Sequence, residues 1–142
     1  MQTWISAAAI GQLLIVATIW DLRKSEIPGL LTIGGLAAGV VVRSVLGPGI
    51  ATSLIGAGVG GGLLLVFVLL GGIGAGDAWL LAAIGAWSDW RFVLAAAVWT
   101  GVVGGAMAAI VYVSRRFGLA SLRAFPYVPA IAAGTLIAWL AG

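Results

Sequence analysis

The sequence predicts an all-α, polytopic membrane protein of about six transmembrane helices with glycine-rich packing. Hydrophobic residues make up 63% of the 142 and charged residues only 8%, against about 45 to 50% apolar and about 25% charged in an ordinary soluble domain. Four acids, seven bases and no histidine cannot clothe the exterior of a water-soluble fold, so the surplus apolar surface faces lipid. The apolar residues fall into runs near the length needed to cross about 30 Å of hydrocarbon, about 20 residues at about 1.5 Å rise each. Glycine, 23 residues in all, clusters inside those runs, where it lets neighbouring helices approach closely.

The first span is expected from about Trp4 to Trp20, stopping at Asp21-Leu22-Arg23-Lys24-Ser25-Glu26. It lacks the basic start of a secretory signal peptide and is long enough to stay in the bilayer. The second begins near Pro28, since proline suits a first helical turn whose N–H would be unpaired anyway, and ends by Gly47-Pro48-Gly49. The third, Ile50 to about Leu70, carries Gly56, Gly58, Gly60, Gly61 and Gly62. The fourth starts around Asp77 and ends before Ser88-Asp89-Trp90-Arg91. The fifth covers about Phe92 to Val113, with Gly101, Gly104 and Gly105, and stops at Ser114-Arg115-Arg116. The sixth runs from about Phe125 to Leu140 and opens with Pro126 and Pro129. Trp4, Trp20, Trp79, Trp87, Trp90, Trp99 and Trp139 mostly fall near span ends, as headgroup anchors do. With no internal repeat, linker or second domain visible, residues 1–142 read as a single membrane-embedded domain.

The fourth segment is short by this ruler. Ala78 to Trp87 is ten residues, about 15 Å of helix against about 30 Å of hydrocarbon. Either the glycine turn before Asp77 is sunk into the membrane, or the segment is re-entrant and the later loops reverse sides.

The absence of cysteine rules out disulfides, thiol nucleophiles and thiolate metal sites, and the absence of histidine removes the commonest other ligand and base. No metal or cofactor is expected, and chemistry falls to carboxylates. The net charge of +3 does not point to nucleic acid, because the seven bases are dispersed at the ends of apolar runs. They mark topology. Arg23, Lys24, Arg115, Arg116 and Arg123 lie in loops after spans one, three and five, against Arg43 and Arg91 after two and four. Five against two makes the first group cytoplasmic and both termini external.

Six-span topology returns Asp21, where span one ends, and Asp77, where span four starts, to the same cytoplasmic-side face. An acid at membrane depth costs about 2.5 to 3.5 kcal/mol on insertion scales and is rare unless it faces a bundle interior and has a use. If the two meet, burial and mutual repulsion leave one protonated and the other ionised. That is an aspartic-protease arrangement, in which the ionised acid activates water and the protonated acid polarises the scissile carbonyl. Gly71, Gly72, Gly74 and Gly76 around Asp77 allow positive φ and a close substrate approach. The plainer reading of Asp77 is a helix-start aspartate favoured by the macrodipole. For Asp21 it is a flanking acid paired in solvent with Arg23 or Lys24. Glu26 reads as solvated or as an aid to substrate binding, and Asp89, beside Arg91 on the opposite face, as a surface residue.

Asp21 with Ile27-Pro28, then Gly74-Ala75-Gly76-Asp77 with Leu80-Leu81-Ala82-Ala83-Ile84-Gly85-Ala86-Trp87, then Phe125-Pro126-Tyr127-Val128-Pro129-Ala130, resemble the type IV prepilin peptidases. These are membrane aspartyl proteases with a GxGD motif. The resemblance covers nearly the whole chain. It implies a multi-pass enzyme of a bacterial or archaeal inner membrane that removes the short basic leader from type IV prepilins or pseudopilins, on the cytoplasmic side and typically after a glycine. It implies that Asp21 and Asp77 are the catalytic pair, with Gly74, Gly76 and Pro28 supporting. The compact length looks most like the short branch that serves tight-adherence pili. The chain lacks the cysteine-containing insert of the bifunctional members, so methylation of the new N-terminus is not carried over. It also departs from the family at Gly29, usually asparagine, and at Trp79, usually a lysine.

Two other classes fit the residues. A small proton- or ion-coupled transporter would use Asp77 as an intramembrane ion site in a broken helix. An inactive assembly subunit would share the peptidase fold without its chemistry.

Overall fold

The computed structural model describes residues 2–24, 26–47, 49–118 and 126–142. Among them every regular element is an α-helix: α1 Gln2–Lys24, α2 Gly29–Leu46, α3 Ile50–Leu69, α4 Ala75–Trp87, α5 Trp90–Arg116 and α6 Val128–Ala141. Phe125 and Arg123, used above for the sixth span and the charge count, lie outside the described residues.

The six expected spans are present as helices, but four of them, α1, α2, α3 and α5, are long and apolar enough to cross a membrane on their own. Helix α1 runs four residues past its expected end at Trp20, and its last turn holds Arg23 and Lys24, cations that a helix C-terminus favours and whose long stems reach the interface. Asp21 is therefore inside a helix rather than in the following loop. Pro28 precedes α2 as its cap, with φ −60° and ψ 123°, and its carbonyl accepts the Leu31 N–H at 2.9 Å.

Helix α4 is the hub. Ten of its 13 residues are buried, all from Asp77 to Trp87 except Trp79. Its small and apolar residues lie on every side, as befits a helix surrounded by others. It packs antiparallel on α3 with the backbones in contact: a Cβ on Gly56 would collide with the Gly85 carbonyl, one on Gly85 with the Gly56 carbonyl, and one on Gly60 with the Leu81 carbonyl. Gly61 faces Ala82 and Ala78 in the same register, whereas a Cβ on Gly58 or Gly62 would meet open space. The glycine cluster thus serves α4 on one face only.

The same register explains the short α4. Gly56 opposite Gly85 and Gly60 opposite Leu81 put Asp77 level with Leu64 and Trp87 level with Leu54. Asp77 then lies about 7 Å short of the end of α3 at Leu69, and Trp87 about 6 Å short of its start at Ile50. Both turns are sunk relative to α3. Helix α4 runs through the bundle rather than doubling back: Phe92, just after it, lines a cavity with Trp4 and Trp139, at the end of the bundle opposite Asp21.

The tight turn before α4 needs a left-handed residue at Gly71, φ 75°, whose N–H donates to the Val68 carbonyl at 2.9 Å. Gly74 has an ordinary extended backbone, φ −75° and ψ 149°, so positive φ is not what its glycine supplies. Six tryptophans are exposed; Trp87, 8% exposed, is a packing residue rather than an anchor. Its indole Nε1–H donates to the Gly35 carbonyl at 2.8 Å, and its ring fills the place a Cβ on Gly39 would take. Large apolar residues elsewhere, such as Leu30, Val45, Leu69 and Leu70, are broadly exposed, the surface a bilayer would cover.

Candidate active site

Asp21 and Asp77 are both buried, at 6% and 8% exposure. They reach one cavity of about 290 Å³ from different helices, and Glu26, Ile27, Gly74, Ala75, Gly76 and Tyr127 complete its lining.

Asp21 occupies the last turn of α1, where the helix dipole disfavours an anion. The neighbouring α6 offsets this: the Val128 N–H at its start donates to Asp21 Oδ2 at 3.1 Å, an amide that α6 itself leaves unpaired. Asp77 lies in the first turn of α4, where the dipole favours a carboxylate. Its own N–H donates to the Gly74 carbonyl at 3.2 Å.

The supporting residues fall around this pair. A Cβ on Gly74 would stand 3.5 Å from Asp77 Oδ2, and one on Gly76 would stand 3.3 Å from Ile27 Cβ. A side chain at 76 would press on Ile27, whereas one at 74 would only touch the carboxylate at ordinary contact distance. Pro28 caps α2, and Glu26 and Ile27 just before it line the cavity. Glu26 is exposed yet lines the cavity at its mouth, whereas Arg23 and Lys24 are exposed and line neither this cavity nor the adjoining one. Lys24 lies over the Trp20 ring at 5.2 Å instead. Asp89, at the far end, caps α5 by accepting the Phe92 N–H at 2.8 Å. Trp79, half-exposed on the outer face of α4, lines neither cavity around Asp77.

Tyr127 has no role that the sequence alone assigns, yet it lines the cavity with both acids. Its ring lies against α5 in a notch at Gly104, where a Cβ would stand 2.6 Å from Cε2 and 2.8 Å from the hydroxyl oxygen. Burial, and then the charge of Asp77, push the Tyr127 phenol above its ordinary pKa, so the group is neutral. The signal that could have found it is glycine at 104, but only with the α5–α6 pairing known.

Two buried carboxylates in one cavity, one of them accepting a backbone N–H, suit acid–base activation of water. The sequence model of the type IV leader peptidase family matches residues 8–110. The chain belongs to that family. The match includes both acids, the loop through Pro28 and the whole glycine turn, while the Tyr127–Val128 end of the site lies beyond it. Comparison with curated proteins and with solved structures returned no match. Membership makes the chain a leader-peptidase-type protein built on apolar membrane helices.

Proposed function

We propose that the chain is an aspartic endopeptidase that removes the basic leader from type IV prepilins or pseudopilins at the cytoplasmic face of the inner membrane. The observation that carries this reading is the convergence of Asp21 and Asp77 in one cavity, within a chain of the leader peptidase family. Lipid surrounds the helices, and the substrate presents its leader in the cytoplasm and its apolar helix in the bilayer.

The chemistry follows from a pair that shares one proton. The ionised carboxylate takes a proton from water as the water oxygen bonds to the scissile carbonyl carbon. The protonated partner gives its proton to the carbonyl oxygen, and a neutral tetrahedral diol forms. Collapse of the diol restores the carbonyl and breaks the C–N bond. The amine leaves with a proton from the carboxyl that was protonated by water, and the second carboxyl recovers its own. Asp21 already accepts the Val128 N–H, an arrangement suited to the ionised partner. Glu26 adds negative charge at the cavity mouth, which draws a basic leader.

The test is to incubate the purified chain with a panel of leader-bearing pilin precursors. Wild type releases a leader from at least one, and Asp21→Asn or Asp77→Asn inserts normally but releases none. A transporter would lose flux at Asp77 alone and cut nothing. An inactive subunit would cut nothing in wild-type form.

A further inference from the structure

Two cavities meet at Asp77. The first, of about 290 Å³, contains Asp21 and Glu26. The second, of about 240 Å³, runs along Gly71, Gly72 and Ile73 of the glycine turn. Gly74, Asp77 and Tyr127 line both. At about 30 Å³ per water molecule, each is the size of a short stretch of peptide rather than of a lone solvent site. Their walls differ: carboxylates dominate the first, and side-chain-free backbone the second.

The Tyr127 ring stands in the wall of both cavities and is held on its α5 side. Gly104 admits it against α5, leaving no room for even a methyl group. The next residue, Val128, ties the same turn to Asp21 through its amide. Asp77 lines both cavities with it. A partition held in this way has a defined position relative to both acids.

We propose that Tyr127 is a specificity-determining residue whose ring divides the site into two subsites and so sets which peptide bond lies over the acids. The proposal rests on the endopeptidase reading. The chamber with Asp21 and Glu26 takes the chain on one side of the scissile bond and suits a positively charged side chain there. The glycine-turn chamber takes the other side, where the absence of side chains lets two backbones approach.

The test uses the full chain in lipid nanodiscs, a synthetic prepilin-type peptide with a basic leader and an apolar helix, and mass spectrometry of the products. Wild type cuts one bond. Tyr127→Ala joins the chambers and loses about tenfold or more of the preference for that bond over its neighbours, the scale at which one pocket contact discriminates. Tyr127→Phe keeps the ring and the single cut. Gly104→Ala displaces the ring without removing it and gives the same slippage, which preserves the test should Tyr127→Ala fail to fold. A single unshifted cut by Tyr127→Ala or Gly104→Ala, at wild-type kcat/KM, overturns the proposal. So does slippage by Tyr127→Phe equal to that of Tyr127→Ala. A wild-type chain that cuts no bond counts against the endopeptidase reading itself and takes the partition with it.

Discussion

The Val128 N–H donates to Asp21 Oδ2 at 3.1 Å across 107 residues of sequence, joining the first turn of α6 to the last turn of α1. Val128 is fully buried and Asp21 is 6% exposed, at the wall of the cavity. Asp21→Ala leaves the amide unpaired and costs about 1 to 3 kcal/mol, read as a lower unfolding midpoint in detergent. Asp21→Asn keeps an acceptor oxygen and is expected to retain most of that stability while losing activity. Equal stability of the two variants would remove the bond from the account.

The backbone contact between Gly56 and Gly85 makes a second prediction. Gly56→Ala and Gly85→Ala each push a methyl group into a carbonyl, forcing α3 and α4 apart at a cost of about 1 to 3 kcal/mol. Because α4 carries Asp77, activity falls with stability. Gly58→Ala, where a Cβ meets open space, is expected to be neutral or stabilising by up to about 1 kcal/mol through helix propensity. Thermal unfolding of the three variants checks the contrast.

Trp79 stands where the family usually has lysine, yet its side chain faces outward and lines neither cavity. Trp79→Lys is expected to leave kcat/KM within about twofold, a change of less than about 0.5 kcal/mol, since a lysine there can extend toward the interface. A gain or loss of tenfold would show that this position tunes the acids.

Cleavage by a proton-sharing pair passes through a maximum with pH. It falls in acid as both carboxyls become protonated and in alkali as both ionise. Burial and the charge of Asp77 hold the Tyr127 phenol above its usual range, so it stays neutral while the carboxyls titrate. Tyr127→Phe should therefore leave the alkaline limb in place. A displacement of about one pH unit would assign that limb to the phenol.

The membrane class, the six helices and a common face for Asp21 and Asp77 were legible because hydrophobic run length is a local quantity and span parity follows from counting the runs. Helix ends were less so: α1 continues through Asp21 because its following cations suit a helix C-terminus, and α4 is short because both flanking turns are sunk relative to α3. Tyr127 and the Val128 amide were not legible. Every residue but proline has an amide, and the notch at Gly104 exists only once α5 and α6 are paired. Among the glycines, sequence could mark the cluster in α3 but not which members face α4.

The central claim is that Asp21 and Asp77 act as one unit, and a double-mutant kinetic cycle tests it most directly. The rate of leader cleavage is measured for Asp21→Asn, Asp77→Asn and the double variant in the same lipid. Acids that act together lose nearly everything at the first removal, so all three should show the same residual rate, about a thousandfold or more below wild type. A single variant that keeps more than about a tenth of wild-type activity, or a double variant whose loss is the product of two partial losses, would contradict the paired mechanism.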